Sequence, residues 1–150
     1  MVTWTWRSFR ELTTDELYEL LRLRQDVFIL EQTCIYPELD GADHKSHHLL
    51  ARDKKGSLAA YLRLVAPGGK YKEPSIGRLV VRREVRRKGV ARALMLEAIR
   101  KCRQLYPKQA IHIQAQAYLE SFYKSLGFKP AGEPYDEAGI MHVEMLLAPA

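Results

Sequence analysis

From Ile76 to Tyr106 the chain places an apolar run, IGRLVV, before a basic turn, RREVRRKGVA, and then a long amphipathic stretch. The first part has the length and branched composition of a strand. In the last part Val90, Ala91, Leu94, Met95, Ala98, Ile99, Cys102 and Leu105 recur at helical period. A strand, a tight turn and a long helix in that order leave few folds open. The turn contains Gly89 and has no Ser, Thr, Asp or Asn just before the helix, so its first N–H groups have no side-chain cap. Open donors at the positive end of a helix dipole suit an anion such as phosphate, and glycine lets the backbone approach it closely.

The charge distribution agrees with that reading. The formal net charge is +6, and six basic residues lie between Arg82 and Arg92. Such concentration favours a phosphate-rich small ligand or a nucleic acid over a diffuse basic surface. The loop lacks the Gly-Lys-Ser/Thr of a Walker motif. At 150 residues, with 47% hydrophobic content, the chain is long enough for one domain, 1–150, with a substantial core. No apolar run approaches membrane-spanning length, and MVTWTWRSFRE has no signal-peptide core. Cys34 and Cys102 form no CxxC, which points to a reducing cytoplasm.

In chain order, alternating Trp4 and Trp6 predict an edge strand. Thr13 with Glu16 predicts a capping box opening a helix through about Leu30, its buried side built from Leu17, Leu20, Leu21, Val27 and Phe28. Residues 31–43 are expected to be loop. Leu49–Arg52 and Leu58–Val65 are expected to pair as an antiparallel hairpin across DKKG. Pro107 ends the long helix, Ala110–Ala115 is a strand, and Tyr118–Leu126 is a short helix stopped by Gly127. Two closing strands follow, the last at His142–Leu147. This order predicts a mixed α/β fold around one mainly antiparallel sheet flanked by helices, with one parallel crossover at the central strand.

Arg86, Gly89 and Ala91 resemble the R/Q-x-x-G-x-G/A signature of the Gcn5-related N-acetyltransferases. AQAYLESFYKSLGF, residues 115–128, is similar to that family's second conserved block. LRLRQDVFILEQTCIYPELDGAD, HLLA, AYLRL, IGRLVV and the closing YDEAGIMH look like the ElaA-like subfamily, and together cover most of the chain. The resemblance implies central strands that splay apart to admit pantetheine. It implies direct acetyl transfer from acetyl-coenzyme A to an amine acceptor, with no metal. The backbone of Leu79, Val80 and Val81 would hold pantetheine and polarise the thioester carbonyl. Arg86 would open the phosphate loop, and the amides of Arg87, Lys88, Gly89, Val90, Ala91 and Arg92 would take the pyrophosphate. Gln116 stands where the family often has an Asn that contacts the cofactor arm.

By the same resemblance Tyr123 lies near the cofactor sulfur and protonates the departing thiolate. Ordinary phenol and thiol pKa values differ by roughly 1.5 units, a cost of about 2 kcal/mol. Deprotonating an alkylammonium at pH 7 costs about 4.6 kcal/mol, so a base is needed. Glu31 is the leading candidate, with Asp40, Asp43, His48 and Glu144 as alternatives. HKSHH, residues 44–48, reads as a loop feeding a strand, since no second ligand pair accompanies it. Two other functions fit the same residues: a non-catalytic acyl-coenzyme A binding module, and a nucleic-acid-binding domain using the arginine-rich turn. The latter has no RNA-binding aromatic signature or DNA-binding helix arrangement.

Overall fold

The computed structural model describes residues 2–150; Met1, counted in the expected 1–150 domain, lies outside them. Eight strands form one sheet. They are β1 (Thr3–Ser8), β2 (Ser46–Arg52), β3 (Leu58–Val65), β4 (Ser75–Val81), β5 (Ile111–Gln116), β6 (Lys129–Pro130), β7 (Tyr135–Glu137) and β8 (Ile140–Leu147). The order across the sheet is β1-β2-β3-β4-β5-β8-β6, and β7 also pairs with β8. Every pairing is antiparallel except β4 with β5. Three strands rather than two close the chain, because β6 and β7 pair with different stretches of β8.

Helix α1 (Thr14–Arg24) opens with the expected capping box: the Glu16 amide donates to Thr13 Oγ1 at 3.0 Å, and the Thr13 amide donates to Glu16 Oε1 at 2.9 Å. The predicted continuation to Leu30 is helical but wider, a π-helical segment over Gln25–Glu31. Glu31 is therefore the last helical residue instead of the first residue of a loop. Residues 42–45, partly assigned to loop, form a 3-10 turn, and β2 starts at Ser46, earlier than the expected Leu49. His47 and His48 are consequently strand residues.

Helix α2 (Val90–Leu105) packs Leu94, Met95, Ala98, Ile99 and Cys102 onto one sheet face, against residues such as Leu62, Leu64, Ile113 and Met145. On the other face Leu20 and Leu23 of α1 cover Leu50, Leu58, Tyr61 and Val80. Strand β3 is buried along its whole length because both helices cover it. A 3-10 turn at Ala117–Leu119 leads into the short helix α3 (Glu120–Lys124), and Gly127 follows with φ 101°.

Two irregularities in β4 position the site. Its register with β3 slips between Arg63↔Gly77 and Tyr61↔Val80, a bulge that holds Arg78 at φ 53°. Towards β5 the ladder has a single partner pair, Ser75↔His112. Beyond that pair the strands diverge, as the expected splay requires. No helix among the described residues is long and apolar enough to cross a membrane.

Candidate active site

A cavity of about 310 Å³ lies where β4 and β5 part. Gly77 to Val81 form one wall, and Ile113, Gln114 and Gln116 form the other. Since β4 beyond Ser75 has no ladder to β5, the backbone on that edge opens onto the cavity. Leu79, Val80 and Val81 all stand there.

The turn before α2 follows Val81. Gly89 caps the helix with φ 77° and no side-chain bond, and Arg87 is also left-handed, at φ 63°. Among the described residues the amides of Arg87 to Arg92 have no acceptor. A Cβ built on Gly89 would meet nothing within 4 Å, so glycine is needed there for its backbone angle and the surrounding space stays open. Arg87 and Lys88 make no ion pair among the described residues. Arg92 is engaged, donating to Ser125 Oγ at 2.8 Å above the Phe122 ring.

Arg86 behaves differently from its neighbours. Its Nε donates to the Val81 carbonyl at 2.8 Å, and its two terminal nitrogens grip Glu31 at 2.6 and 3.0 Å. The guanidinium thus ties the phosphate-type turn to the π-helical end of α1. Glu31 lines the cavity, and the Arg86 hydrogen bonds, with Arg83 nearby, hold its carboxyl below the usual range. A carboxylate so bound is a weaker proton acceptor than a free one.

Tyr123 lines the cavity with its ring set edge-on to Phe122 and Phe128. Its hydroxyl has no hydrogen-bond partner among the described residues. Burial pushes its pKa up to about 12. The group stays protonated at neutral pH, as an acid must, but the uphill gap to an ordinary thiol widens to roughly 3.5 units, about 5 kcal/mol. Gln116 also faces the cavity, donating to Gln32 Oε1 at 3.3 Å.

The alternative bases sit elsewhere. Asp40 and Asp43 hold Arg63, and Asp43 also binds Arg24, with both carboxyls kept below their ordinary range despite burial. His48 is fully buried, with ring nitrogens 2.6 Å from Tyr61 Oη and 3.0 Å from the Asp43 carbonyl. Its place in strand β2 gives His48 two protein partners. Among the described residues no group of three or more His, Cys, Asp or Glu could hold a metal ion. Glu144 accepts from Tyr135 and lies 2.7 Å from His112 Nε2.

Polar residues of the wall that the sequence did not single out include Arg78, Gln114, Glu137 and His142. The last three lie on one face, because Gln116↔His142 and Tyr135↔His142 are cross-strand partners and strand residues two apart share a face. The polar alternation of IHIQAQ and IMHVEM carried that signal.

Comparison with known proteins bears on the whole chain. Residues 23–148 match the family described as acetyltransferase (GNAT) domain. A UPF0039 protein of Synechocystis sp. is 39% identical over 145 residues, covering 97% of this chain and 94% of its own. The crystal structure of Escherichia coli ElaA superposes with TM-score 0.92 at 34% identity, covering 98% of this chain and 99% of that one. That of an acyl-CoA N-acyltransferase from Pseudomonas aeruginosa gives 0.93 at 38% identity, with 99% and 100% coverage.

Proposed function

Since the chain belongs to the GNAT acetyltransferase family, we propose that it transfers an acetyl group from acetyl-coenzyme A directly to an amine. The observation that carries this reading is the continuity of the parted β4 edge with the uncapped start of α2. One is an unpaired backbone ladder and the other a set of free amides beside unpaired basic side chains. Together they suit a ligand that has both an amide-bearing arm and phosphates.

In this reading the backbone of Leu79, Val80 and Val81 orients the arm and polarises the thioester carbonyl. The amides of Arg87, Lys88, Gly89, Val90, Ala91 and Arg92 receive the pyrophosphate. Arg86 contributes by bracing the turn. Gln116 contacts the arm, and Tyr123 supplies a proton to the leaving sulfur. The cosubstrate brings an activated acyl group, and the chain brings position and proton transfer. Glu31, expected as the amine's base, takes the role of holding Arg86, because both its oxygens are occupied. In this reading residues 1–150 form one catalytic domain that works in the cytoplasm without a metal.

A broad amine panel with acetyl-coenzyme A, read by release of free thiol and by product mass, tests the function. Acetylated product is expected for at least one amine. In Tyr123→Phe, turnover is expected to fall by about 10²-fold with cofactor affinity kept. Tight acetyl-coenzyme A binding with no product from any amine would make the protein a binding module instead.

A further inference from the structure

The acceptor side of the cavity contains few groups free to take a proton. Arg86 occupies both oxygens of Glu31. Tyr36 donates its hydroxyl to Glu38 at 2.9 Å, and Cys34 directs its thiol to the Ala138 carbonyl at 3.2 Å. The two arginines in the wall are neutralised, Arg78 by Glu38 and Arg86 by Glu31. Glu144, Asp40, Asp43 and His48 lie outside the wall with their partners already found. Two groups remain, His142 and Glu137.

His142 Nδ1 lies 2.7 Å from the carbonyl oxygen of Ile140. A carbonyl only accepts, so Nδ1 carries the proton, and in the neutral ring Nε2 is a bare lone pair. Nε2 has no hydrogen-bond partner among the described residues. Glu137 accepts from Gln114 Nε2 at 2.9 Å and forms no ion pair among the described residues. It shares the face of His142, because Glu137↔Ile140 and Tyr135↔His142 are successive same-face pairs of one hairpin. The other titratable groups facing His142 are Tyr135 on β7 and Glu144 on β8. Glu31 and Cys34 stand across the cavity, with Tyr118 and Tyr123 beside α3. The wall's own cations, Arg78 and Arg86, are each paired with a carboxylate, and the Lys70 ammonium is within charge range of Glu137, so Glu137 is the wall carboxylate left open to a positively charged acceptor.

We infer that the acceptor is a primary alkylammonium received by Glu137 and deprotonated by His142 Nε2, an inference that rests on the acyltransferase reading above. The step balances as follows. His142 takes one proton from the ammonium and passes it to solvent. The freed nitrogen pair forms the C–N bond to the thioester carbonyl carbon. The C–S bond breaks, and the second nitrogen proton is matched by the one that the departing sulfur takes up.

The test uses the whole protein. With hexylamine and 1,4-diaminobutane as acceptors, His142→Gln is expected to lower kcat about 10²-fold near neutral pH, with the rate recovering as pH rises and acetyl-coenzyme A affinity unchanged. Glu137→Gln is expected to raise KM for the amine about tenfold at nearly constant kcat. Nitrogen NMR of the free protein should show the Nδ1–H tautomer of His142. Wild-type acetylation with an unchanged His142→Gln pH profile, or an Nε2–H tautomer, overturns this assignment and leaves the transferase function standing. A wild-type protein that binds acetyl-coenzyme A but acetylates no amine overturns both.

Discussion

Arginines gather in two places in this molecule, with opposite outcomes. Beneath the β4 wall of the cavity, Arg24 and Arg63 are 0% and 1% exposed and, with Arg78, are matched against Glu38, Asp40 and Asp43. Beside α2, Arg87 and Lys88 stand on an uncapped turn with no carboxylate of their own among the described residues. The first group is internally neutralised and pins residues 38–43 to the sheet. The second leaves both charge and backbone donors unanswered. A buried charge must find its partner within the fold, whereas an exposed one can wait for a ligand. Net charge thus identifies the binding surface only after the paired arginines have been subtracted.

The sharpest way to break this contrast is Arg24→Ala. Removing Arg24 leaves three carboxylates to two arginines, with Glu38 held by Arg78 and Asp43 by Arg63, and the uncompensated charge is expected to cost about 3–5 kcal/mol in unfolding free energy. Denaturant unfolding measures it, and a loss under 1 kcal/mol would show that the cluster is not a structural lock. The reciprocal change, Gly89→Asp, should cost about 1 kcal/mol of stability, since space is open but the backbone is left-handed, which aspartate tolerates better than most residues and less well than glycine. Its charge should weaken acetyl-coenzyme A by about tenfold or more, roughly 1.4 kcal/mol. Gly89→Asn is the neutral control; equal losses in both by calorimetry would remove phosphate repulsion as the cause.

Acid separates the regions more gently. The native partners of Asp40 and Asp43 hold their pKa values below the unfolded ones. Their contribution is complete above the ordinary aspartate pKa of about 4 and is lost as pH falls through the lower native values. Stability should therefore drop below about pH 4, by up to about 1.4 kcal/mol per pH unit for each proton taken up. Arg63→Met should flatten that slope, and an unchanged slope would place the acid response elsewhere.

How much could be read beforehand follows the range of the interactions. The Thr13–Glu16 cap, the hairpin around DKKG and the uncapped turn at Gly89 depend on residues a few positions apart, and all three were legible. Arg63 lies within the expected strand LAAYLRLV, but its partners Asp40 and Asp43 are 23 and 20 residues away in a stretch expected to be loop, so the buried ion cluster was not legible. The bulge at Arg78 had no local signal, since its cause is pairing with β3. Glu31 lines the cavity, and its ion pair with Arg86, 55 residues on, has no local signal in the sequence. His142 read only as the start of a strand until the hairpin with β7 turned it toward the cavity.

The lone Ser75↔His112 pair has a further consequence for what the protein can be adapted to do. Hydrogen-bond geometry fixes the spacing of strands wherever a ladder runs, but here the ladder stops after one rung. Beyond it, the width of the opening is set by the bulk of the side chains wedged beneath it. Ile76, Met95 and Ile113 belong both to the cavity wall and to the common core under α2. In the acyltransferase reading proposed above, the acyl chain that fits would then follow from the volume of these side chains rather than from the backbone.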